Sequence, residues 1–188
     1  MSDHIIRFSS TSMSTVTLMI LCLMVGSATA EPTFSERYSM EVDPQAKEQL
    51  GELTYNEVMS FFHNAEKAIE TKDIDALMEL YSDNYSDGAH GKESAHQIWT
   101  RIFSEFELMA THHNMKLVSV TTEKNVVVFR CSGLLLGVPR VESGVITIDN
   151  WNQQDHVLAL EGGGWKLLGT YGRERKRLWF DKPMHPLF

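Results

Sequence analysis

Asp87 and His90 stand either side of the Gly88-Ala89 step, and they are the pair in this sequence best suited to move a proton. A carboxylate that orients a neutral imidazole makes a working general base. The plainer alternative is that Asp87 caps the turn and His90 faces water. Arg130 interrupts an apolar run and shares parity with Val128, Ser132 and Leu134. It would either clamp a substrate carboxylate bidentately or pair with a neighbouring strand on an outer face. Cys131 has the opposite parity, beside Phe129, and reads as a small core residue with no thiolate-stabilising partner in view. The run Asp149 to His156 is the most polar stretch inside an extended segment. Trp151 either lines an apolar pocket there, with Asp149 on its side, or packs alone at a solvent-facing bend. Tyr85, Trp99, Arg130 and Trp151 are the residues expected to contact a ligand. His112 and His113 are adjacent, so a strand would point them to opposite faces. No other His or Cys spacing suits a metal, and neither a metal nor a cofactor is expected.

These residues sit in an acidic chain of net charge −8. That balance argues against nonspecific nucleic-acid binding, which needs a basic footprint. Residues 1–30 have the form of a signal peptide. Arg7 precedes the apolar stretch Met13 to Val25, and Ala28-Thr29-Ala30 has the small-x-small pattern of a cleavage site. The apolar stretch is short for a membrane span, which needs roughly 20 residues. Leu21 before Cys22 does not suit a lipoprotein cysteine. Cleavage after Ala30 leaves Cys131 as the remaining cysteine, so no intrachain disulfide forms, and a periplasmic or secreted soluble protein is expected. The basic tail Arg173 to Arg177, followed by Leu178, Trp179 and Phe180, touches anionic lipid headgroups, stays solvated and salt-bridged, or docks its aromatics on a neighbouring surface.

The elements that must position the candidate residues follow from periodicity. Residues 31–53 are polar, carry Pro32 and Pro44, and read as a lead-in segment. Val58, Phe61, Phe62, Ala65 and Ile69 recur at steps of three and four, giving a first helix from about Thr54. Asp73 is the expected N-cap of a second helix with Leu77, Leu80 and Tyr81 on its core side. Ala95, Ile98, Trp99, Ile102, Phe103 and Phe106 form the wide stripe of a third helix starting at Lys92 or Glu93. Beyond His112 the period becomes two. Strands are predicted over Met115 to Thr121, Val126 to Leu136, Val145 to Leu160 and Trp165 to Tyr171, with a bend or bulge within Asn150 to Gln154. Helices followed by antiparallel strands give an α+β architecture.

The run Asp73-Ile74-Asp75-Ala76-Leu77-Met78-Glu79-Leu80-Tyr81-Ser82-Asp83-Asn84, its place in that order, and the Gly163-Gly164-Trp165-Lys166 turn resemble the nuclear transport factor two-like superfamily. That superfamily includes the SnoaL-like proteins and the ketosteroid isomerases. The resemblance covers 54–171, with 172–188 a C-terminal tail. It implies three N-terminal helices packed on a curved antiparallel sheet, a cone-shaped α+β barrel with an apolar interior pocket. The ketosteroid isomerase tyrosine falls on Ala65 and that family's general base on Ala89, two residues from Asp87. Those two roles therefore do not transfer. Three readings stand: an exported module binding a small, largely apolar molecule; a cofactor-independent isomerase, dehydratase or cyclase using Asp87 and His90; or a noncatalytic protein that pairs with a second copy.

Overall fold

The α+β class expected from the sequence is what the computed structural model shows, with helices gathered against a curved, unclosed sheet. It describes residues 40–172 except Ala89 and Glu142. The readings of 1–30, of 31–39 and of the tail beyond Gly172 lie outside the described residues. In chain order the elements are β1 (Met40–Val42), α1 (Gln45–Leu50), α2 (Glu52–Thr71), α3 (Ile74–Glu79), β2 (Tyr81–Asp87) and β3 (His90–Gly91). Then follow α4 (Lys92–Glu105), β4 (Phe106–Val120), β5 (Val126–Pro139), β6 (Ile146–Glu161) and β7 (Gly164–Tyr171). The sheet runs β1-β4-β5-β6-β7-β2-β3. Among the described residues no helix is long and apolar enough to cross a membrane.

The helices form for the reasons their spacing gives. Val58, Phe61, Phe62, Ala65 and Ile69 are the buried side of α2. Asp73 caps α3, its Oδ1 accepting from the Ala76 amide at 3.0 Å. Ala95, Trp99, Ile102 and Phe103 are buried along α4, and Phe106 is buried as the first residue of β4. Several features differ from the expectation: Tyr81 opens β2 instead of lying on the second helix, and β4 begins at Phe106 rather than at Met115. The lead-in read as polar contains β1 and α1, and Ala46 and Leu50 are each only 1% exposed in the main core. A six-residue helix shows too few apolar positions for its period to register. The sheet is also mixed, because β1 pairs with β4 and β2 with β7 in parallel.

The long strands β4 to β7 form an antiparallel meander. Gly162 (φ +59°) and Gly163 (φ +86°) make its last two-residue turn, where both positions need a left-handed backbone. The expected irregularity in β6 falls at Gln153, whose φ is +55°. Cys131 pairs with Gln154 but Gly133 pairs with Trp151, so two residues of β6 face Ser132 alone. Ser132 fills the gap, bonding Asn152 Oδ1 at 2.8 Å and accepting from the Gln153 amide at 3.1 Å. The bulge changes the strand's parity. Asp149 and Trp151 before it, and Gln154, His156 and Leu158 after it, are all buried.

Candidate functional site on the concave face

Register across the sheet assembles a polar row from distant parts of the sequence. Phe129 of β5 pairs with His156 of β6, and His156 pairs with Thr170 of β7. Gly169 beside Thr170 pairs with Ser86, which brings Asp87 of β2 next along the row, and Asp87 pairs with His90 of β3. Paired residues share a face of the sheet. His156, Thr170 and Asp87 are wholly buried and His90 is 8% exposed.

His90 is held from one side only. Its Nδ1 lies 2.7 Å from Ser94 Oγ in the first turn of α4, while its Nε2 is buried without a hydrogen-bond partner. With Ser94 donating, Nε2 carries the proton; with Ser94 accepting, Nε2 offers a lone pair. Two tyrosines flank the same end of the row. Tyr81 and Tyr85 are both buried and their rings meet edge-on with centroids 4.7 Å apart. Burial, and secondarily the Asp87 charge, raise the Tyr81 phenol above its ordinary value, with the Trp99 hydrogen bond opposing. Trp99 Nε1 donates to the Tyr81 hydroxyl at 2.9 Å. Trp99 is therefore a packed residue that fixes Tyr81, rather than an open wall.

A second cluster occupies the β4–β5–β6 part of the same face. His113 pairs with Gly133 and Gly133 with Trp151. His113 Nδ1 stands 3.3 Å from Cys131 Sγ, and Trp151 Nε1 donates to that sulfur at 3.2 Å. The His113 ring lies 5.2 Å from Trp151 and 6.3 Å from His156, centroid to centroid. Burial, then the neighbouring His156 and His112, lower His113 to about 3, so it is a neutral imidazole near pH 7. Burial pushes the Cys131 thiol up to about 12, which removes it as a nucleophile. Gln154 Oε1 and Thr111 Oγ1 are further buried atoms of this cluster's strands without a partner.

The expected ligand contacts divide. Tyr85, Trp99 and Trp151 are buried in the main core. Arg130 is not with them, which corrects the ligand-clamp reading. It lies exposed on the opposite face, its Nε and Nη2 donating to the Asp155 carboxylate at 2.7 and 2.9 Å. Asp155 raises its pKa. No three His, Cys, Asp or Glu side chains among the described residues form a group that could hold a metal ion. His156 and Thr170 were not singled out by sequence reasoning. The signal for His156 was the bulge, since a strand without it would place Trp151 and His156 on opposite faces.

No protein-family model and no curated protein matches the sequence. Solved structures match its fold. A candidate dehydratase of the NTF2-like family from Streptomyces avermitilis superposes with a TM-score of 0.50 at 12% identity, over 63% of this chain and 94% of that one. A candidate scytalone dehydratase from Novosphingobium aromaticivorans gives 0.51 at 12%, over 62% and 80%. A conserved protein from Planctomyces limnophilus gives 0.51 at 14%, over 62% and 91%. At such identities the likeness establishes the fold, which is the nuclear transport factor two-like cone anticipated from the sequence.

Proposed function

We propose that this protein is a cofactor-independent enzyme of isomerase or dehydratase type, moving a proton within a small, largely apolar molecule held against the concave face. The observation that carries the reading is His90, buried with a free Nε2 beside Asp87 on a row of buried polar residues. Leaving a buried polar atom unpaired costs about 1–3 kcal/mol, and a core built only for stability has no use for it. Two of the structurally similar proteins carry dehydratase descriptions, which supports the same class.

In an elimination, one member of the Asp87–His90 pair removes a C–H proton. The carbon–oxygen bond then breaks with its electron pair, and the other member protonates the departing hydroxyl as water. The Ser94 contact fixes the imidazole and decides which half His90 supplies. The apolar bulk of the substrate would rest on Phe62, Met115 and Phe129, which share the core with the two clusters.

The test uses 5-nitrobenzisoxazole, whose ring opens to a coloured phenolate when a desolvated base takes its C–H proton. Saturable turnover is expected from the wild type. Asp87→Asn and His90→Gln should lower it by at least tenfold with folding retained, as circular dichroism would show. Turnover unchanged in both variants, or absent from the wild type, would refute the reading. We propose export as its setting, with a mature chain starting at Glu31. Intact-mass measurement of the periplasmic fraction decides that point. Pairing of two copies through the outer face is proposed as well, with Tyr171, Leu108 and Val118 exposed. Light scattering showing monomer alone at micromolar concentration would exclude it.

A further inference from the structure

A groove of about 380 Å³ lies between α2, the end of α3 and the β6–β7 hairpin, and shares no residue with the Asp87–His90 row. Its helical wall is Glu57, Ser60, Phe61 and Asn64, one face of α2 at steps of three and four. Leu80, Leu160 and Trp165 supply further apolar surface, and Leu160 is 43% exposed. At Gly164 an added Cβ would meet nothing within 4 Å, so the hairpin side of the groove stays low and open.

Its charge is one-sided. Lys166 is the cation of the lining, and it is tied back to α3, donating to the Glu79 carbonyl and standing 3.8 Å from Glu79 Oε2. Glu57 has no cationic partner among the described residues. Its Oε2 instead accepts from Trp165 Nε1 at 3.4 Å, which holds the carboxylate at the edge of the indole. The lining thus offers one carboxylate with no cation opposite it, beside an apolar floor.

We propose that this groove binds a small organic monocation, an ammonium carried on an aromatic or aliphatic body. The ammonium would meet Glu57, and the body would lie between Leu80, Leu160 and the α2 face. An anion of the same shape would meet the uncompensated Glu57 carboxylate, so charge sets the selectivity. The volume lies within the range of small-molecule sites, on the order of 300–1,000 Å³.

The probe is 4-phenylbutylammonium, compared with 4-phenylbutanol and 4-phenylbutyrate. The readout is the indole N–H signal of Trp165 in a nitrogen-15 spectrum, assigned with Trp165→Phe. A saturable shift is expected with the ammonium, a weaker one with the alcohol and none with the carboxylate. Glu57→Gln keeps an oxygen for Trp165 while removing the charge, and should weaken the ammonium about three- to fivefold, as suits an exposed carboxylate. Its affinity for the alcohol should not change. Equal affinity for the three probes, an unmoved Trp165 signal, or a Glu57→Gln variant that binds the ammonium as tightly as the wild type would each overturn the proposal. Failure here leaves the proton-transfer reading standing, because the two sites share no residue.

Discussion

Acid should unfold this protein through His113. The imidazole is 1% exposed, in contact with Cys131, and burial with two neighbouring histidines lowers it from 6.5 to about 3. The unfolded chain regains an ordinary imidazole, which takes up a proton as pH falls below 6.5 while the folded one does not. The stabilising contribution is therefore complete above pH 6.5 and is lost progressively down to about pH 3. At ~1.4 kcal/mol per pH unit the whole interval is worth roughly 5 kcal/mol, and about 2 kcal/mol is gone by pH 5. Urea melts at pH 7.5, 6.0 and 5.0 measure it, on the wild type and on His113→Leu, which keeps the volume and removes the titration. Glu66 also titrates unusually, its carboxyl raised mainly by burial, and acts in the opposite direction. It is present in both proteins, so it largely cancels in the difference. The wild type should lose about 2 kcal/mol more than the variant between pH 7.5 and 5.0. Parallel profiles would mean that His113 is not a buried neutral imidazole, and would remove the argument for a dry concave face.

Further expectations follow from single positions. Gly133→Ala would drive a Cβ into the His112 carbonyl oxygen and the Trp151 indole, so a loss of at least about 1–3 kcal/mol in urea is expected. A neutral effect would contradict the seating of Trp151 over that glycine. Cys131, raised to about 12 and buried, should not react with Ellman's reagent at pH 8 until the protein is denatured. Fast reaction of the folded chain starting at Glu31, which lacks Cys22, would place the Cys131 thiol at an open surface. Trp99→Ala should cost about 3–5 kcal/mol as a truncated core tryptophan, with Trp99→Phe costing less and exposing the Tyr81 hydroxyl's lost partner. Wild-type melts for Trp99→Ala would show that α4 does not cover the core as described.

What was legible in the sequence is what repeats locally. The α4 stripe repeats at helical spacing, and Asp73 needs only the amides just beyond it, so both could be read without knowing the fold. The edges could not. β1 and β2 pair in parallel with strands far along the chain, and no local pattern marks such a partner. Arg130 shows the limit at a single residue. Its parity allowed a ligand clamp or an outer pair, and Asp155, its partner across β6, settles the choice in favour of the pair. The candidate site depends on the same kind of information. Asp87 and His90 were visible because one short turn joins them, whereas His156 and Thr170 reach their row only through the pairing of β6, β7 and β2. The bulge at Gln153 is the decisive step, because it lets Trp151 and His156 face inward together despite their odd separation. A regular strand through that segment would have kept one aromatic wall or one polar row on the concave face, but not both.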